Sequence, residues 1–377
     1  SAAVMKGLNS CGYVRPSPVQ LHAIPIGKFG ADLIVQAKAG TGKTLVFAVI
    51  ILETITMHPG NGPARLQAVA VAPTREVTQQ LADVIGKIAS KSSGVRIGTF
   101  IGGVSQKKDK AQLKNGCHIA AGSPGRLYHL IADKTIDVSE VRIAVLDEAD
   151  KITQGVFYQT VHHILASLPH RKQVMAFSAT YTSNLNRLLA KFMRSPQSLR
   201  VDDEGNVSDE IVTLPTHITR QPIGTNDETI FAPLHGVKQF AFYVVRSALG
   251  ATSTQESVVS SPTKQQDDPG LEFMIQSLKS VLTKVEFDQC MVFCNDRRQT
   301  ELVCEQLVAD HYAATFISGH IKQEERSQAL DRFRCGKVRV LVTSDLTARG
   351  IDIATVNLVV NLGLPRDPST YMHRIGV

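Results

Sequence analysis

Eight residues, Ala37-Lys38-Ala39-Gly40-Thr41-Gly42-Lys43-Thr44, carry the clearest chemistry in the sequence. They fall between the apolar run Asp32-Leu33-Ile34-Val35-Gln36 and a stretch, Leu45 to Leu52, that suits a buried helix. Glycines let the N–H groups of such a turn converge on phosphate oxygens, and the helix N-terminus that follows favours negative charge. Lys43 can reach the outer phosphates of a nucleotide, and Thr44 can offer its hydroxyl to Mg2+. Ala37 stands where the general phosphate-loop pattern has its first glycine. Further on, Ile143-Ala144-Val145-Leu146 runs straight into Asp147-Glu148-Ala149-Asp150. A phosphate-loop nucleotidase needs an acid at the end of a neighbouring strand for Mg2+, and a second group to orient the attacking water. Asp147 suits the first role and Glu148 the second.

The elements that must position these residues follow from the apolar pattern. Residues 32–36, 68–72, 117–121, 143–146 and 173–177 are short apolar runs, each followed by a helix-capable stretch. Runs apolar on both faces suit strands buried in a parallel sheet, and the alternation suits βαβ units. The pattern returns at 289–293, 314–317, 338–342 and 357–361, which predicts a second α/β domain. The expected boundaries are 1–200 for the first domain, 201–236 for an acidic, polar linker, and 237–377 for the second domain. Within the latter, Gln239 to Val245 is expected as its first strand. Residues 250–270, rich in Ser, Thr, Gln and Asp, are expected as a disordered insertion, since they cannot bury enough apolar surface to offset ordering.

Composition narrows the class. Apolar residues make up 43% of the 377 and charged residues 20%, ordinary for a globular protein. No apolar run approaches the ~18 residues of a membrane span, and no basic start with an apolar segment marks a secretory signal. The cysteines at 11, 117, 290, 294, 304 and 335 form no C-x-x-C pair, which argues against a zinc module or disulfide framework. Residues 1–200 hold 24 basic and 11 acidic side chains, a net +13, whereas the rest is net −6. The acidic excess lies entirely in 201–236. A basic first half suits a polyanionic partner.

Asp-Glu-Ala-Asp after such a strand, with this phosphate loop, resembles the DEAD-box ATP-dependent RNA helicases. The likeness can be followed motif by motif. Gly12-Tyr13 and Pro16-Ser17-Pro18-Val19-Gln20 resemble the family's Q motif, which implies that Gln20 reads the adenine edge and selects ATP. The resemblance makes Ala39, Gly40, Thr41, Gly42, Lys43 and Thr44 the ATP cradle, with Thr44 and Asp147 on Mg2+. Pro73-Thr74-Arg75-Glu76, Gly102-Gly103 and Ser123-Pro124-Gly125-Arg126 resemble the first-domain RNA-backbone elements. That implies RNA contacts from Pro73, Thr74, Arg75, Gly102, Gly103, Ser123, Gly125 and Arg126. Ser178-Ala179-Thr180 resembles the motif coupling nucleotide state to strand separation, bonding towards Asp150. Lys43, Asp147, Glu148, Ser178 and Thr180 are thus the expected catalytic group.

In the second half, Val292-Phe293-Cys294-Asn295, Ser318-Gly319-His320 with Gln323 and Arg326, and Ser344-Asp345 with Ala348-Arg349-Gly350-Ile351-Asp352 match family positions. Asp352 is expected at the nucleotide, and Arg326, Thr343 and Ser344 on RNA. Tyr371-Met372-His373-Arg374-Ile375-Gly376 begins the last motif, giving His373 and Arg374, with Asp150, a part in interdomain coupling. The resemblance implies two RecA-like parallel-sheet domains in tandem, the second incomplete at its C-terminus. It further implies a monomer in cytoplasm and nucleus, away from membranes, that holds single-stranded RNA by its backbone using ATP and Mg2+. The flavour of the motifs is most similar to the family members of the SMN (gemin) complex, which assembles spliceosomal small nuclear ribonucleoproteins. SMN-complex partners would be met through regions outside this sequence. Two arginines that the family carries after His-Arg-Ile-Gly do not appear before Val377, so a shortened chain with impaired ATP hydrolysis is expected.

Two other readings remain open to the sequence: an ATP-dependent RNA-binding scaffold with little turnover, and a phosphate-loop motor of another purpose. His162-His163 is expected as an exposed helix pair. Lys107, Lys108 and Lys110 are expected as solvated surface, and Cys290 and Cys294 as strand packing.

Overall fold

The computed structural model describes residues 1–38, 40–55, 57, 63–92, 94–155, 157–201, 207–210, 230–231, 238–241, 269–344, 353, 355–365 and 368–375. Two compact units result, one reaching from Ser1 to Leu234 and the other built mainly on residues from His235 onwards.

The first unit is a sheet of strands β1 (Leu33–Gln36), β2 (Ala68–Val71), β3 (Ile97–Phe100), β4 (Ile119–Gly122), β5 (Ile143–Leu146), β6 (Gln173–Ser178), β8 (Gln197–Val201) and β9 (Val207–Glu210). Their spatial order is β3-β4-β2-β5-β6-β1-β8-β9, parallel throughout except for β9. Every residue of β1, β2, β4, β5 and β6 is buried, as continuous apolar runs require when helices cover both faces. Alternate side chains enter two cores. Leu33, Val35, Ala68, Ala70, Met175 and Phe177 join α3 (Lys43–Thr54) and α4 (Arg75–Ala89) on one face. Ile34, Val69, Val71, Ala144, Leu146 and Ala176 join α6 (Pro124–Ala132), α8 (Phe157–Ser167) and α9 (Ser183–Phe192) on the other. Phe47 and Phe177 meet edge to face at 5.1 Å.

Residues 201–236 do not behave as a plain linker in their described parts. Val201 closes β8, and β9 turns back on it as an antiparallel edge strand. Ile230–Phe231, β10, pairs antiparallel with the short β7, Thr180–Tyr181. The first unit therefore extends past residue 200, because the ladder of β8 offers backbone partners that the acidic composition of this stretch conceals.

The second unit has four parallel strands in the order β12-β13-β11-β14: β11 (Gln289–Cys294), β12 (Ala314–Ile317), β13 (Val340–Ser344) and β14 (Val356–Asn361). Residues of α10 (Pro269–Lys284) and α11 (Arg297–Ala309) pack with Cys290, Val292 and Cys294 into its core. The architecture is α/β with two parallel sheets, as the sequence predicts. Residues 238–241 are exposed and not in a strand, against the expected strand 239–245, whose remaining residues lie outside the described set. So does the expected insertion, apart from Pro269 and Gly270, which open α10. Among the described residues no helix is long and apolar enough to cross a membrane.

Candidate active site and nucleic-acid interface

Parallel strands all end on one rim, and in open α/β sheets ligands bind there. In the first unit that rim carries six motifs in spatial sequence. Gly102-Gly103 follows β3, Ser123 to Arg126 follows β4, and Pro73 to Arg75 follows β2. Asp147 to Asp150 follows β5, Ser178 to Thr180 closes β6, and the phosphate loop follows β1. The RNA-type motifs thus occupy one half of the rim and the nucleotide-type motifs the other. They adjoin between β2 and β5, where Asp147 N donates to Val71 O at 2.9 Å.

Around the phosphate loop, Gln20 is buried on α2 (Pro18–Lys28). Its Oε1 accepts from Ser17 N at 2.9 Å and its Nε2 donates to Gly42 O at 3.2 Å. Ser17 Oγ donates to Thr41 O at 2.8 Å, a tie that the sequence motif contains but does not announce. Gly42 is left-handed (φ 86°), and a Cβ there would stand 2.2 Å from Gln20 Nε2, so only glycine lets the two elements touch. Lys43 opens α3 and folds back, donating from Nζ to Ala37 O at 2.5 Å and to Lys38 O. Thr41 Oγ1 donates to Lys38 O at 2.8 Å. Gly40 is exposed and Thr44 half-buried, while Ala39 lies outside the described residues.

Beyond β5 the chain turns sharply: Glu148 takes a left-handed conformation (φ 45°, ψ 52°) uncommon for a non-glycine residue. This turn gathers three carboxyl groups. Asp147 Oδ1 accepts from Glu148 N at 3.0 Å. Burial raises the Asp147 carboxyl from its ordinary range, against the pull of Lys43. Glu148 is pushed up to about 8, first by burial and then by the charges of Asp147 and Asp150. Its Oε2 is buried with no hydrogen-bond partner among the described residues. A carboxylate and a hydroxyl oxygen from Asp147 and Thr44, the unbonded Oε2 of Glu148 and the Lys43 ammonium are by their chemistry a donor set that suits Mg2+ and a polyphosphate. Asp150 is spent differently. It is fully buried, accepts from Ser178 Oγ at 2.6 Å and Thr180 Oγ1 at 2.8 Å, and meets Lys151 Nζ at 3.4 Å. Ser178, at the end of β6, and Thr180, at the start of β7, therefore clasp the acidic turn through Asp150.

On the other half of the rim, Thr74 caps α4, its Oγ1 accepting from Val77 N at 3.2 Å. The Arg75 guanidinium lies along the glycine pair: a Cβ on Gly103 (φ 80°) would come within 2.6 Å of Nη1. Pro73 and Ser123 are half-buried, Gly103 and Gly125 exposed, and Gly102 in between. Arg126, which the resemblance places on RNA, is half-buried. It donates from Nε to Ile101 O at 3.2 Å and from Nη2 to Val104 O, and pairs with Asp109.

In the second unit, Arg326 is only 6% exposed on α12 (Gln323–Arg334), and Thr343 and Ser344 are buried at the end of β13. These three, which the family resemblance places on RNA, are buried within their unit. Arg374, on α13 (Pro368–Ile375), is buried too. It donates to Asn361 Oδ1 at 3.0 Å, Gly363 O at 2.9 Å and Asn295 Oδ1 at 2.7 Å, knitting the ends of β14 and β11 together. Asp352 and the side chain of His373 lie outside the described residues. Asp109 and Lys151, which pair with Arg126 and Asp150, stand in no role that the motifs assign, and Ser17, though within a motif, is given none.

Two family models match this rim and its counterpart: the DEAD/DEAH box helicase over residues 17–188 and the helicase conserved C-terminal domain over 274–376. The chain belongs to the DEAD/DEAH box helicase family. It is 38% identical over 377 residues to mouse "Probable ATP-dependent RNA helicase DDX20", covering all of this chain and 40% of that protein. It is 31% identical to Eukaryotic initiation factor 4A of Caenorhabditis elegans, covering 99% of this chain and 79% of that one. The chain spans 62% of the length of the Kluyveromyces lactis helicase DHH1 at 30% identity. In fold it matches S. cerevisiae Dbp5 bound to RNA and ADP BeF3 with a TM-score of 0.77 at 22% identity, covering 100% of this chain and 83% of that one.

Proposed function

We propose that this chain is an ATP-dependent RNA helicase that holds single-stranded RNA by its backbone and locally opens duplexes or remodels ribonucleoproteins. The observation that carries this is the order of motifs along one rim, with a nucleotide half and a backbone-binding half meeting at β2 and β5. Mg2+ would be held by Asp147 and Thr44 and would shield the phosphate charge. Lys43 leaves the carbonyls of residues 37 and 38 for the phosphates, Glu148 orients the attacking water, and Gln20 holds the adenine edge. Asp150, clasped by Ser178 and Thr180, keeps the acidic turn in register with β6. Pro73, Thr74, Gly102, Gly103, Ser123 and Gly125 offer backbone and hydroxyl groups to sugar–phosphate, which carries no base code, so binding is salt-sensitive and largely indifferent to sequence. In this reading Asp352 meets the nucleotide, so that ATP is what brings the RNA motifs of the second unit into play. The likeness to mouse DDX20 across the whole chain supports placing this activity in spliceosomal ribonucleoprotein assembly with SMN-complex partners, in cytoplasm and nucleus.

The test is oligouridylate binding with and without a non-hydrolysable ATP analogue, in wild type and Lys43→Ala. ATP-stimulated binding is expected in wild type only, with the thermal midpoint of the ligand-free variant unchanged. Stimulation that persists without Lys43 would overturn the reading.

A further inference from the structure

Asp109 sits in the sequence Lys107-Lys108-Asp109-Lys110, which has every mark of solvated surface. The structure separates these residues: the three lysines are exposed, while the Asp109 side chain on α5 (Gln106–Lys114) is wholly buried. A buried carboxylate is costly unless a cation meets it. Here Arg126 does, with 3.2 Å between Nη1 and Oδ2. Neither Asp109 oxygen accepts a hydrogen bond from another group among the described residues. Burial raises its carboxyl and Arg126 pulls it back. The other donors of Arg126 go to the carbonyls of Ile101 and Val104, the two residues that bracket Gly102-Gly103. Arg75 lies against the glycines themselves.

We propose that Asp109 is a positioning residue for RNA: acting through Arg126, it fixes the turn of residues 101–104 so that the Gly102-Gly103 backbone stays aimed at a sugar–phosphate strand. This rests on the RNA-binding reading above. Arg126 holds the turn through its carbonyls while Asp109 neutralises it, and neither needs to touch nucleic acid. Removing the carboxylate leaves a guanidinium with no buried counter-charge, free to turn outward and release both carbonyls.

The experiment compares wild type, Asp109→Asn, Arg126→Met and the double variant of the full chain. It reads oligouridylate affinity with an ATP analogue present, fluorescent-ADP affinity, and amide exchange across residues 100–105. Asp109→Asn is expected to weaken RNA binding about tenfold, within the range coupled neighbours show. Exchange at 102–104 should rise, with ADP affinity within twofold of wild type. The double variant is expected to bind RNA no worse than Arg126→Met. RNA affinity within twofold of wild type, effects that multiply in the double variant, or an equal loss of ADP affinity would each overturn the inference. A wild type that fails to hold oligouridylate sinks the RNA reading itself, an outcome distinct from a binding wild type matched by Asp109→Asn.

Discussion

The clasp on Asp150 makes the sharpest quantitative prediction. Ser178 Oγ lies 2.6 Å from Asp150 Oδ1 and 2.7 Å from Thr180 O, but a hydroxyl has a single proton to donate. The carboxylate, carrying the charge, takes it. Ser178→Ala therefore removes a hydrogen bond to a buried charged group, a loss of about 1.5–3 kcal/mol, together with the longer bond that Thr180 N donates to Oγ at 3.3 Å. Thr180→Val removes the second bond, 2.8 Å to Oδ2, at similar cost. In a unit of this size each kcal/mol lowers the thermal midpoint by roughly 2–4 °C. Either substitution should thus lower it by roughly 3–12 °C. The sequence has no tryptophan, so calorimetry and far-UV circular dichroism are the natural assays. Repeated on Asp150→Ala, Thr180→Val should cost under about 0.5 kcal/mol, because its acceptor is gone, whereas Ser178→Ala should cost less than in wild type without vanishing, because the freed hydroxyl proton turns to Thr180 O. A full loss in that background, or a negligible one in wild type, would refute the clasp as the source of the effect.

Gly42→Ala should weaken fluorescent-nucleotide binding while lowering stability by about 1–3 kcal/mol, since its Cβ would meet Gln20 Nε2 at 2.2 Å from a left-handed backbone. Glu148 gives a pH dependence with a definite sign. Its folded value of about 8 exceeds the ordinary 4.5, so the folded chain holds the extra proton between those values, and ligand-free stability falls as pH rises through that window. Glu148→Gln should flatten the fall in denaturation midpoint between pH 5 and 8; equal slopes would contradict the burial argument. Gly7→Val should loosen α1 (Ala2–Ser10) from α4, as a Cβ at Gly7 would come within 2.0 Å of Ile88 O. About 1–3 kcal/mol of overpacking is expected, read as faster amide exchange along α1.

What was legible in the sequence divides along physical lines. Strands buried on both faces announce themselves as unbroken apolar runs, so β1, β2, β4, β5 and β6 could be placed within a residue or two. Ile97-Gly98-Thr99-Phe100 is an edge strand buried on alternate residues, and Gln197 to Val201 is mostly polar. Neither produces such a run. The acidic residues after Val201 suggested a linker because a ladder of backbone bonds leaves no mark on composition. Motif spacing located the phosphate loop and the acidic turn, since glycine, lysine and carboxylate chemistry is local. It could not show that the donors of Arg126 are consumed by carbonyls, or that Arg326 is packed away. An arginine has the same letter on a surface as in an ion pair. Asp109 did leave one trace: Leu113 lies four residues on, so the two share a helix face in an otherwise polar segment.

Because the six motif-bearing loops of the first unit depart from one rim of its sheet, the opposite rim is left with the returns from helix to strand. The returns from α6 to β5 and α8 to β6 lie there, away from the six motifs. Labels, tethers or extra segments grafted at those returns can report on the protein, or acquire new attachments, while its chemistry goes on undisturbed.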